Sequence, residues 1–99
     1  MIDIKISRHN NTITFCAIGH AEHAPYGADI VCAGVSSLVL GLSSALGKKY
    51  SHSEISSGRA VIRTRDTREA RCYFRFAQKA LELICTAYPE NVRMSANLS

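Results

Sequence analysis

The 99-residue sequence has no long apolar run, and Met1-Ile2-Asp3-Ile4-Lys5 places an acid where a basic leader would be needed. Neither a membrane span nor a secretory signal is therefore expected, and the cytoplasm is the default compartment. The four cysteines, Cys16, Cys32, Cys72 and Cys85, lack the short paired spacings of a zinc site or a redox pair. In a reducing compartment they are expected to remain free thiols. His20, Glu22, His23 and Cys32 lie near one another in sequence, but they do not form the compact ligand set of a structural zinc centre, so no metal is expected. A Gly-rich phosphate loop with its lysine and hydroxyl partner is missing, as is a dinucleotide fingerprint. Nucleotide hydrolysis and nicotinamide chemistry thus lack support, and no cofactor is expected.

Acidic residues are also scarce. Eight of them face twelve lysines and arginines, for a net charge of +4. Much of the excess lies between Arg59 and Arg75, where six arginines are accompanied only by Asp66 and Glu69. Such a cluster can steer an anionic or RNA-associated partner, or it can be a solvated face. A hydrophobic fraction of 46% and a charged fraction of 20% place the chain among globular proteins. Its length suits one domain over residues 1–99 with a core that needs no covalent staples.

Ile2, Ile4 and Ile6 alternate as in a half-buried strand, residues 13–18 form a second apolar run, and Asn10-Asn11 between them favours a hairpin. Gly19 to Gly27, with Pro25, reads as a loop. From Ile30 to about Leu46, apolar residues recur at helical spacing, with Asp29 placed to cap the start and Gly47 to end the run. Ser57-Gly58 turns a weak strand at 53–56 into a stronger one at Arg59–Arg65. Asp66-Thr67-Arg68-Glu69 has the spacing of a capping box with the aspartate as cap. It opens a helix whose buried stripe is Ala70, Phe74, Ala77, Leu81, Ile84 and Tyr88, and Pro89 stops it. Val92–Met94 supplies a last short strand. The expected fold is α+β, a mostly antiparallel or mixed β-sheet packed by two amphipathic helices.

The chemistry concentrates at the junction of loop and first helix. Amides and dipole at a helix start stabilise a thiolate, and Cys32 is at about the third helical position. Cys16, Cys72 and Cys85 read instead as small buried hydrophobes. His20 follows a strand end and can reach over the next helix as a base, with His23 as its competitor in the same loop. Asp29 either caps the helix or orients an imidazole, and capping is the favoured role. Gly27 allows a tight turn that lets first-turn amides, that of Cys32 included, face a developing oxyanion.

Gly19-His20-Ala21 and the stretch Tyr26-Gly27-Ala28-Asp29-Ile30-Val31-Cys32-Ala33-Gly34-Val35-Ser36 resemble the signature of the ribosomal-processing cysteine protease family Prp. The order of elements extends the resemblance over nearly the whole chain. It implies a cytoplasmic homodimeric cysteine endopeptidase that removes the N-terminal extension of the precursor of ribosomal protein twenty-seven of the large subunit. The resemblance assigns the catalytic roles to His20 and Cys32, with Asp29, Gly19 and Gly27 supporting the site. Leu38, Leu42 or Tyr26 would then line a substrate pocket. The competing reading is a noncatalytic ribosome-associated module that binds through its basic surface. A thiol oxidoreductase is a third, weaker reading, because no partner cysteine accompanies Cys32.

Overall fold

The computed structural model describes residues 1–25 and 27–98. Strands β1 (Ile2–His9) and β2 (Thr12–Gly19) form a hairpin, followed by helix α1 (Ile30–Leu46), the hairpin β3 (Ser51–Ser56) and β4 (Arg59–Arg65), helix α2 (Arg68–Ala87) and strand β5 (Val92–Asn97). Asn10 and Asn11 take positive φ values of 49° and 63°, the pair of left-handed residues that a two-residue hairpin turn requires. The sheet order is β3-β4-β2-β1-β5. Every pairing is antiparallel except β1 with β5. This is the expected α+β architecture with a mixed sheet. Each helix links two strands that run in the same direction, β2 to β3 and β4 to β5.

Register places one residue set on the helix side. Ile4 pairs with Ala17 and Ile6 with Phe15, while across β2 Phe15 pairs with Ile62 and Ala17 with Ala60. Against this layer α1 buries Val31, Val35, Val39 and Leu42, and α2 buries Ala70, Phe74, Ala77 and Leu81. Ile84 and Tyr88 complete the expected α2 stripe as half-buried residues packed on the same core. The other face of the sheet has no helix over it and exposes Lys5, Arg59, Arg63, Arg65 and Arg93.

Four local features differ from the sequence reading. The cap of α2 is Thr67, whose hydroxyl accepts from the Ala70 amide, one residue later than the expected Asp66. Asp66 instead accepts from Arg8 at 2.5 Å and Arg71 at 2.7 Å, bonds to charged donors that a cap's amides do not match. Strands β3 and β5 are longer than expected, because pairing with β4 and β1 holds residues whose own composition is a weak strand signal. Cys72 is exposed on α2 rather than buried, since the helix turns it away from the Phe74 side. No helix is long and apolar enough to cross a membrane among the described residues.

Phe74 is fully enclosed between α2 and the sheet. Phe74→Ala should cost about 3–5 kcal/mol, read as a lower urea midpoint with an unchanged denaturant slope.

Candidate active site

The site is built where the end of β2 meets the start of α1. Gly19 closes β2 at φ 108°, where a side chain is strained, and an added Cβ would also collide with the Met1 carbonyl. Its amide donates to the Gly58 carbonyl at 2.9 Å, which ties the strand end to the β3–β4 turn. The chain then passes through His20, Ala21 and Glu22. Ala21 is buried, whereas His20 is exposed. Gly27, at φ 88°, turns the chain back toward the helix.

Asp29 fixes the relation between this loop and α1. One carboxylate oxygen accepts from the amides of Val31 at 2.9 Å and Cys32 at 3.0 Å, as a helix cap does. The other accepts from His23 at 2.9 Å and Ala24 at 3.2 Å. The Cys32 amide bond is the largest influence on the carboxyl, and with the other three amides it outweighs burial, so the group ionises below its ordinary value of 3.8. All four bonds go to backbone. Asp29 is the helix cap favoured from sequence and also clamps the loop, and among the described residues no bond joins it to an imidazole.

The same bonds correct the expectation for the oxyanion. The Cys32 amide is already engaged by Asp29 and cannot serve as a free donor there. The amide that addresses the sulfur comes from the loop, since Ala21 N–H donates to Cys32 Sγ at 3.3 Å. On its other side Ala21 is held by Asn91, whose side-chain amide donates to the Ala21 carbonyl at 2.9 Å. Sequence reasoning missed Asn91, for it lies in the α2–β5 connection with nothing nearby in sequence to mark it.

His20 and Cys32 both line an open cleft of about 820 Å³ between the first turns of α1 and the β3–β4 hairpin. The His20 ring lies against Gly58, where a Cβ would come within 2.8 Å of Nε2, so the ring occupies space that only a glycine leaves open. Among the described residues, no hydrogen bond joins this ring to Cys32. His23 is placed elsewhere, its ring edge-on to Tyr88 with centroids 5.1 Å apart, and it does not line the cleft.

The walls also differ from expectation. Leu42 is buried in the core and Leu38 packs against it, so neither lines the cleft, and Tyr26 is outside the described residues. The helix side of the cleft is Cys32, Ser36, Val39 and Leu40, and Ile55 lies on the hairpin side. Helical spacing counted from Cys32 rather than from the core would have picked out Ser36, Val39 and Leu40.

A thiol at a helix start and an imidazole facing one open cleft form the residue set of a thiol hydrolase. The family model for cysteine protease Prp matches residues 1–93, and the chain belongs to that family of cysteine proteases. It is 31% identical to the ribosomal processing cysteine protease Prp of Staphylococcus aureus strain Mu50 over 101 residues, 95% of each chain. A crystal structure of Prp from S. aureus with a covalently linked product peptide superimposes with a TM-score of 0.86 at 29% identity, covering 98% of this chain and all of the other. A second, with a substrate peptide, gives 0.79 at the same identity and coverage.

Removing the clamp should loosen both sides of it. Since the Asp29 carboxyl ionises below 3.8 in the folded state, its stabilising contribution is complete above that value and is lost as pH falls through the lower folded-state value. Asp29→Asn should therefore lower the melting temperature at neutral pH and make the protein less sensitive to acid below pH 3.8, measured by circular dichroism against pH.

Proposed function

We propose that Cys32 is the nucleophile and His20 the general base of this cysteine protease, with Gly19, Gly27 and Asp29 shaping the site. The observation that carries this is the Ala21 amide directed at Cys32 Sγ in a cleft that also exposes the His20 ring. His20 takes the thiol proton as the Cys32 sulfur bonds to the substrate carbonyl carbon, the C–N bond then breaks to leave a thioester, and His20 delivers that proton to the departing amine. Water, deprotonated by His20, then attacks the thioester and returns the free thiol. In this reading the ring, held beside Gly58 before substrate arrives, comes within reach of the sulfur when the cleft fills, as catalytic hydrogen bonds often tighten only in the complex.

The substrate in this reading is a ribosomal-protein precursor, namely the N-terminal extension of ribosomal protein twenty-seven of the large subunit. The names of the S. aureus relatives support ribosomal processing, and the peptides bound to them support an extended segment in the cleft. Val39, Leu40 and Ile55 give the cleft apolar walls suited to apolar side chains of that segment. The enzyme acts in the cytoplasm, where the ribosome is assembled. The whole chain, 1–99, acts as one protease domain.

Incubation with a peptide spanning the precursor extension, followed by mass measurement of the products, tests the assignment. The wild type should cut once, Cys32→Ala should not cut while keeping its melting temperature, and His20→Ala should lower kcat by about 10²–10⁴-fold. Normal turnover by either variant would overturn the pair.

The protease further acts as a homodimer. Phe76 and Leu83 each expose 73% of their surface on the outer side of α2, seven residues apart. Apolar side chains spaced in this way on a helix suit burial against a second copy. Sedimentation equilibrium should show a dimer that Phe76→Glu dissociates; a monomeric wild type at micromolar concentration would refute it.

A further inference from the structure

At the end of the sheet remote from the cleft, a shallow recess of about 650 Å³ opens between the β1–β2 turn, the start of β3 and the end of β4. Lys49, Arg63 and Arg65 line it, along with Tyr50, His52 and the turn residues Asn10 and Asn11. It is well separated from the catalytic residues, since β2 spans the interval with eight residues, about 23 Å at ~3.3 Å per residue.

Among the described residues, no carboxylate lines this recess. Among the described residues Lys49, Arg63 and Arg65 enter no ion pair. The nearest candidates for neutralising it are committed elsewhere. Asp66, whose amide donates to the Asn11 carbonyl, has its carboxylate engaged by Arg8 and Arg71. Burial works against its ionisation, but the bonds and charges of those two arginines prevail and hold it below the ordinary carboxylate range. Glu54, on β3, faces His52 at 3.3 Å.

The recess also contains an aromatic platform. Tyr50 is half exposed, with the Arg65 guanidinium 5.0 Å and the Lys49 ammonium 5.2 Å from its ring centre. Its backbone is fixed, since the carbonyl accepts from the Arg65 amide at 2.9 Å and the Thr64 hydroxyl at 3.3 Å. Exposed cations over a half-exposed ring provide a phosphate contact, and the ring takes a stacked base in exchange for one of them. Exposed asparagine side chains on the turn add the donors and acceptors that read base edges.

We infer that this recess is a binding site for single-stranded RNA, with Lys49, Arg63 and Arg65 contacting phosphates and Tyr50 stacking on a base. The ring and the turn amides favour RNA over an acidic polypeptide, which has no base to stack. A second copy of the chain is disfavoured here, because a two-fold contact would set these unpaired cations against themselves. The site does not depend on proteolysis, so Cys32→Ala protein should bind RNA as the wild type does.

Fluorescence anisotropy with a short labelled single-stranded RNA tests the inference. Binding should weaken with salt, and neutralising the three cations together as Lys49→Gln, Arg63→Gln and Arg65→Gln should flatten the log–log salt slope by about 2, near 0.7 per phosphate contact. Tyr50→Ala should weaken binding about tenfold through lost stacking. Cleavage of the precursor peptide by each variant should be unchanged, which also reports that it is folded. Should the triple variant melt early, single Lys49→Gln and Arg63→Gln variants, both at exposed positions, should each weaken binding. Equal RNA affinity in wild-type and neutralised protein would overturn the inference. So would poly-aspartate binding as tightly as RNA with no effect of Tyr50→Ala, which would indicate an acidic polypeptide, or self-association lost on neutralisation without RNA binding.

Discussion

The Asp29 carboxylate accepts from two amides of the loop that bears His20 and from two amides of the helix that bears Cys32. The loop between β2 and α1, with Pro25 and Gly27, has no ladder of its own to hold it, so its position relative to α1 depends on such side-chain bonds. One ionised group provides them on both sides at once. The Ala21 amide can point at the sulfur because the chain to either side is fixed, by the Gly19–Gly58 backbone bond before it and by Asp29 after it. Asn91 adds a third restraint from the α2–β5 connection.

The sheet carries this arrangement. β2 delivers the loop at its end, and β4, paired along nearly the whole of β2, brings the turn with Gly58 to the same edge. α1 packs its Val31, Val35 and Val39 side onto the core, which leaves the neighbouring side with Cys32, Ser36 and Leu40 facing the cleft. Core packing and site construction are thus two sides of one helix. The absence of a side chain at Gly58 leaves room for the His20 ring at the far wall.

Much of this was readable from residue patterns. Alternation gave the first hairpin, and the Asp29 to Gly47 interval gave α1 with both of its ends, because caps are local chemistry. The same locality misled at α2, where Asp66 and Thr67 are both good caps and the distant Arg8, together with Arg71, draws Asp66 away from that role. The contacts of Gly58, Asn91 and Ile55 at the site escaped notice for a related reason. Each reaches the site through sheet pairing or a turn contact from a remote part of the chain, and no sequence period reports such contacts. The cation cluster was visible as composition, but the structure divides it. Arg71 neutralises Asp66, while Arg63 and Arg65 are grouped with Lys49 and Tyr50.

On the proposed assignment, position rather than exposure makes Cys32 the reactive one of the four thiols. Cys32 is half-buried at the helix start with an amide directed at its sulfur, whereas Cys72 is the exposed thiol. Alkylation of the native protein with less than one equivalent of iodoacetamide, followed by peptide mass mapping, compares the two directly. Modification of Cys32 ahead of Cys72 is the expected result, and preferential modification of Cys72 would contradict the account.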